Sequence, residues 1–387
     1  MHRSIALLIF LAVAPPVLAG GYTIQLDTIH SGYDKKTCWV HPRAGTIPGD
    51  SPIVVLTMQK LLLSGSDIFY ALNEMRTDDL GENWSGPVEH DTLGRRPAEG
   101  DRTQVVCDFT PKWHAASQKL LGTGHNALYG PDNKLVHNRP RSTAYAVYAP
   151  ETRTWSPWRT MEMPPAPIFY NSGAGSTQRV DLPDGDILLP IYGKSEAPGP
   201  YGSTVMRTRF DGETLSYVEH GDVLSIDIDR GLYEPSLAQC NGRFFLTMRN
   251  DRAGYVAHGT DGLHFSDPVK WTFDDGEELG NYNTQQHWVT RGDTLYLVYT
   301  RRGANNDHVF RHRAPLFIAE VDQERLCVKR ATEKVLVPER GARLGNFAVT
   351  EVNEHETWVT VAEWMQPAGV EKYGSDNSVY VARIRWE

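Results

Sequence analysis

Six pairs of short apolar runs constrain this chain more than any other feature of it. The runs are rich in Val, Ile, Tyr and Thr and lie between clusters of Gly, Pro, Asn and Asp: 52–58 with 67–75, 119–124 with 143–149, 186–192 with 203–210, 243–249 with 255–258, 294–300 with 315–321, and 357–363 with 378–384. An i, i+3, i+4, i+7 pattern persists almost nowhere, so helix is a minor component. The pairs recur every 51 to 67 residues, and further apolar stretches such as 233–239, 285–290 and 346–352 precede them. A unit of about four strands at such a period is a propeller blade. The prediction is therefore an all-β chain forming a single β-propeller over residues 20–387, six blades by count. In a blade the first strand lines the axis, which places Glu234, Gln286 and Asn346 at the starts of axis-lining strands. The run 22–28 has no local partner and is expected to complete the last blade, closing the ring. Two stacked sandwiches would not produce the period.

Composition agrees. Charged residues are only 22%, with 34 Gly, 24 Pro, 10 Trp and 17 Tyr, a turn-rich aromatic mixture that is not disordered. The net charge of −9 argues against nucleic-acid binding driven by a polycationic surface. Residues 1–19 begin with His2 and Arg3, continue through an apolar run, and end in Ala19 before Gly20, the pattern of a secretory leader. Pro15 and Pro16 interrupt that run and make it too short for a membrane span, and no later segment is long enough. A secreted or periplasmic location follows as an expectation. Cys38, Cys107, Cys240 and Cys327 are widely spaced with no CxxC, leaving disulfides and buried free thiols both open.

Several residue groups carry chemistry. His125, at a strand end in Gly124-His125-Asn126, and His137 lie on either side of a turn, where imidazoles can exchange protons near neutral pH or simply satisfy turn amides. Tyr192 ends an apolar strand, and Arg207 lies in its hairpin partner. A phenol beside a guanidinium becomes more acidic, and an arginine fork binds carboxylates, whereas the plain alternative pairs Arg207 with a surface acid. His308 and His312 have the four-residue spacing of a helical metal pair. Pro315 and the strand that follows argue against a helix there, so loop contacts to substrate or backbone are the expectation and no metal or cofactor is required. Tryptophans such as Trp288 and Trp364 either stack on sugars or wedge between blades.

Thr77, Asp79, Gly81 and Trp84 fit Ser/Thr-x-Asp-x-Gly-x-x-Trp at every defined position. This resembles the Asp-box of sialidase-superfamily propellers, a structural turn expected between outer strands and away from any pocket; residues 260–265 resemble a shortened second copy. With Gly124-His125-Asn126, Tyr192 and Arg207, the stretch 281–288 containing Gln286 and His287, the stretch 308–316, and Arg343 to Phe347, the chain resembles secreted propeller-type ulvan lyases and related rhamnose–glucuronate-processing enzymes. The resemblance implies seven blades where the count gives six. It also implies a polysaccharide lyase acting by β-elimination on a uronate-containing anionic polysaccharide, with His125 and Tyr192 as the proton-transfer pair and His137 and Arg207 holding the carboxylate. Substrate contacts are expected from Glu234, Arg249, Gln286, His287, His308, Arg343 and Asn346. A sialidase- or rhamnosidase-type exo-hydrolase is the alternative, since Tyr233, Glu234, Arg43, Arg249 and Arg343 would supply parts of a sialidase set, although a catalytic Asp is missing. A non-catalytic glycan-binding propeller is the third reading.

Overall fold

A computed structural model describes residues 21–65 and 67–387; the leader read over residues 1–19 lies outside them. Among the described residues, six antiparallel sheets follow one another along the chain. The central strands are the runs that the sequence pairs: Ile53–Leu62 with Phe69–Thr77, Lys119–Tyr129 with Thr143–Ala149, Asp186–Lys194 with Gly202–Phe210, Arg243–Arg249 with Tyr255–Gly259, Thr294–Tyr299 with Leu316–Asp322, and Glu356–Ala362 with Val379–Trp386. Each has an inner neighbour, in turn Thr37–Ile47, Arg102–His114, the broken pair Asn171–Gly173 and Val180–Asp181, Tyr233–Cys240, His287–Arg291 and Ala348–Asn353. The result is a six-bladed β-propeller, which decides the blade number in favour of the count.

These strands read as continuous apolar runs because a blade is buried on both faces. Successive side chains point to opposite faces of a strand, so Val54 and Leu56 pack against Trp358 and Val381 of the sixth blade. Val55, between them, packs against Val106 and Leu120 of the second. Similarly, Leu188 joins the seam with the fourth blade while Ile187 and Leu189 face the second. Trp155, Trp158, Trp271, Trp288 and Trp358 are completely buried, wedging blades apart as spacers. All four cysteines are free and buried.

The ring closes as expected. Tyr22–His30 pairs antiparallel with Val379–Trp386, from Tyr22 opposite Trp386 to His30 opposite Val379. The Thr77–Trp84 turn joins the third strand of the first blade to its outermost strand, Ser85–Glu89. Asp79 Oδ1 accepts from Thr77 Oγ1 at 2.7 Å and from the Asn83 amide at 2.9 Å. Gly81 takes φ +84°, a conformation that costs glycine little, and the Trp84 ring lies 6.0 Å from that of Trp358. The turn sits at the rim, far from the axis, and its chemistry is structural.

Candidate active site

The axial cavity at one face of the propeller has a volume of about 680 Å³. Its floor is made by a recurring local device. The innermost strands of blades one, two and four each break register, between Val40 and Arg43, Cys107 and Thr110, and Tyr233 and Ser236. At those bulges His41, Asp108 and Glu234 adopt φ of +55°, +53° and +48°. Ser176, Asn283 and Asn346 do the same at +58°, +54° and +65° beside or ahead of the innermost strands of the other blades. A left-handed conformation costs a non-glycine residue ~1–3 kcal/mol, and such strain gathers where function needs it. Here it turns one polar side chain per blade toward the axis.

Asp108 holds the centre of this floor. Its Oδ1 accepts from Ser176 Oγ at 2.6 Å and from Arg43 Nη2 at 3.1 Å, with His41 Nδ1 at 3.4 Å. Burial raises its pKa, but His41, Arg43 and His125 outweigh that and hold the carboxyl well below the usual range. His125 Nε2 lies 3.6 Å from Asp108 Oδ2, beyond a normal hydrogen bond.

His125 and Tyr192 come together on one wall, rings 6.2 Å apart and edge-on. Burial first, and Arg141 second, keep His125 well below the ordinary histidine pKa, so it is a neutral imidazole at pH 7. Burial raises the Tyr192 phenol, outweighing Arg141, so it keeps its proton. A neutral base thus sits beside a protonated acid. Arg141 Nη1 donates to the Tyr192 hydroxyl at 2.8 Å, while its Nε and Nη2, the two donors of one fork edge, are buried without a partner. His125 rests against Gly175, where an added Cβ would fall 1.8 Å from Nδ1 and 2.3 Å from Cε1. Gly175→Ala should therefore displace the imidazole and, since misplacement by about 1 Å can cost ~10²-fold, lower turnover by roughly that factor, with the melting temperature falling by a few degrees because the added methyl overpacks a buried site. Full activity in this variant would show that the position of His125 is immaterial.

The other walls are cationic. Arg249 pairs with Glu234 at 2.6 Å and donates to Asn283 Oδ1 at 2.7 Å. Arg230 pairs with Asp251 at 2.6 Å, and the Tyr233 hydroxyl donates to the same carboxylate at 2.5 Å. Arg343 lies over the Trp364 ring at 4.4 Å.

Of the residues singled out in the sequence, His125, Tyr192, Glu234, Arg249, Arg343 and Asn346 line the cavity, with exposed His137 at its edge. Arg207 does not. In its hairpin Tyr192 lies opposite Ser203 and Arg207 opposite Leu188, four residues away, or roughly 13 Å at ~3.3 Å per residue. Its guanidinium instead binds Asp184 at 2.6 Å and Asp186 at 2.7 Å, the surface pairing that was the plain alternative. Gln286 is buried as a brace, donating to the Thr284 carbonyl at 2.6 Å and accepting from Thr247 at 3.0 Å. His287 bonds Ser236 Oγ at 2.7 Å beneath Phe347. His308 sits outside the cavity against Glu339, 3.0 Å away, and Tyr373. The guanidinium beside Tyr192 is that of Arg141, which stands in the same His137-Asn-Arg-Pro-Arg141 stretch as His137. Its basic end, Arg139-Pro140-Arg141, was the available signal.

No protein-family model matches the chain, and no curated protein does. Solved structures do. A protein of unknown function from Dyadobacter fermentans DSM 18053 matches with TM-score 0.65 and 13% identity, over 96% of this chain and 100% of that one. Hadza microbial sialidase Hz136 matches with TM-score 0.60 and 12% identity, over 90% of this chain and 66% of that one. Trypanosoma rangeli sialidase matches with TM-score 0.58 and 13% identity, over 95% of this chain and 60% of that one. The chain thus spans under two thirds of the two sialidases. At these identities the likeness establishes the fold, that of the sialidase-like propellers.

Proposed function

We propose that the protein is a carbohydrate-active enzyme, a polysaccharide lyase that cleaves a uronate-containing polysaccharide by β-elimination. The observation that carries this reading is the juxtaposition of neutral His125, protonated Tyr192 and the unmet fork edge of Arg141 in one cavity. Elimination needs those three functions. The Arg141 fork would pair with the uronate carboxylate and stabilise charge as C5 becomes carbanionic. His125 would take the C5 proton, and Tyr192 would protonate the departing glycosidic oxygen as the C4–O bond breaks and the C4=C5 bond forms. The leader over residues 1–19 would export the chain to where such polymers lie.

A second reading is hydrolytic, favoured by Tyr233 bonded to Asp251 beside the Glu234–Arg249 pair and by the sialidases among the structural neighbours. Products separate the two. A panel of algal, plant and host uronate polysaccharides, followed in the ultraviolet and by reducing-end assay, should give a new ultraviolet-absorbing unsaturated uronate. Reducing ends without ultraviolet absorbance would establish hydrolysis instead, and binding without turnover a non-catalytic propeller.

A further inference from the structure

The cavity is lined by seven arginines and four carboxylates, far more positive charge than one uronate needs. Arg230 and Arg249 are paired with Asp251 and Glu234, and the other five arginines form two groups, with Arg343 beside the second. Arg139 and Arg141 lie in the connection between Lys119–Tyr129 and Thr143–Ala149 of the second blade; Arg311 and Arg313 lie in the equivalent connection, between Thr294–Tyr299 and Leu316–Asp322, of the fifth. Blades two and five are opposite each other in a six-membered ring, so the two groups face one another across the axis.

The second group is built and unsatisfied. Arg313 is 3% exposed and Arg343 6% exposed, and each has a buried Nε without a partner. The Nη2 bonds of Arg313 go to Asn283, a neutral amide and its carbonyl. Burial and the neighbouring Arg249, Arg343 and Arg311 all disfavour charge on Arg313, the mark of cations gathered without enough anion. Arg311 and His312 are left-handed at φ +59° and +52°, a strain that turns the segment over the cavity. Beside them Phe310, 43% exposed, sets its ring against both guanidiniums, 5.2 Å from that of Arg343 and 5.1 Å from that of Arg311.

We infer that Arg311, Arg313 and Arg343 form a second anion subsite across the axis from Arg141, so that the ligand is an oligosaccharide carrying anionic groups on two different sugar residues. The inference rests on the sugar-binding reading above but not on the reaction. Carboxylate and sulfate ester share the chemistry that such a guanidinium cluster recognises.

The test is calorimetric binding to the His125→Ala protein, which prevents consumption of ligand. The probes are uronate oligosaccharides of two to four residues in three forms: two carboxylates, one carboxylate with the second reduced to the alcohol, and one carboxylate with a sulfate ester in place of the second. At one or more lengths the two-carboxylate form should bind about 30-fold more tightly than the reduced form, the gain of one well-made charge-assisted contact. Restoration by sulfate would identify a subsite open to both anions, and lack of restoration a carboxylate-selective one. Exposed Arg311→Ala, and Arg343→Lys, which retains charge but loses the fork, should erase most of that gain while weakening the one-carboxylate form far less. A ratio below about threefold at every length, or equal weakening of both forms, would overturn the second subsite. The first of these criteria needs no substitution at the subsite itself. The wild-type ultraviolet assay scores elimination separately, so absence of turnover leaves this measurement intact.

Discussion

His125→Ala and Tyr192→Phe should each lower turnover of a uronate polysaccharide by roughly 10²-fold or more, the usual worth of a positioned acid or base. Both should stay folded with melting temperatures a few degrees below the wild type, because Tyr192→Phe leaves Arg141 Nη1 without its acceptor and His125→Ala opens a cavity at a buried side chain. The pH profile carries a second signature. A general base works only when unprotonated, so activity should fall as pH drops through the His125 pKa. Because burial and Arg141 hold that pKa well below the ordinary value of 6.5, the acid limb should lie well below pH 6.5, and the rate should be flat through neutrality. The raised phenol of Tyr192 places the alkaline limit above the ordinary tyrosine range. Steady-state rates across pH, with ultraviolet detection, measure all of this. Wild-type rates in both variants would move the chemistry to the neighbouring Tyr233, whose ring lies 6.1 Å from that of Tyr192, and to Asp251.

Deleting the strand Tyr22–His30 should be the most damaging change to the fold. It removes the outer partner of Val379–Trp386, whose other side stays paired with Glu356–Ala362, and exposes a long apolar strand as the edge of the last blade. Tyr22 stacks edge-on with Tyr296 and Trp386, and Ile24 packs into the seam between the fifth and sixth blades, so apolar burial goes with the ladder. At ~0.5–1.5 kcal/mol per net hydrogen bond, losing a nine-residue ladder costs on the order of 5 kcal/mol or more. That is comparable with the whole stability of a typical domain, ~5–15 kcal/mol. Thermal melting and size-exclusion chromatography should show an unstable, self-associating protein, partly rescued by a peptide of residues 22–30. A monomer melting within a few degrees of the full chain would refute the closure role.

The sequence alone determined the periodic part of this molecule. Alternation, turn residues and a regular repeat are local properties, so six blades, their central strands, the Thr77–Trp84 turn and the search of 22–28 for a distant partner could all be read from it. His125 and Tyr192 were legible as polar groups set in apolar or glycine-rich strand sequence, although the strand Lys119–Tyr129 runs four residues past His125 and so places it within the strand, not at the end read from the sequence. What only the tertiary structure decided is which side chains meet in the cavity. Arg207 was judged by the proximity of paired strands, but register sets it four residues below Tyr192 and beside Asp184 and Asp186. Arg141, distant in sequence from Tyr192, reaches the phenol because two blades are adjacent in the ring. The bulges that turn His41, Asp108 and Glu234 inward leave little trace in composition. Arg141 and Arg313 face each other for a reason no window of sequence contains: the symmetry of a closed six-membered ring.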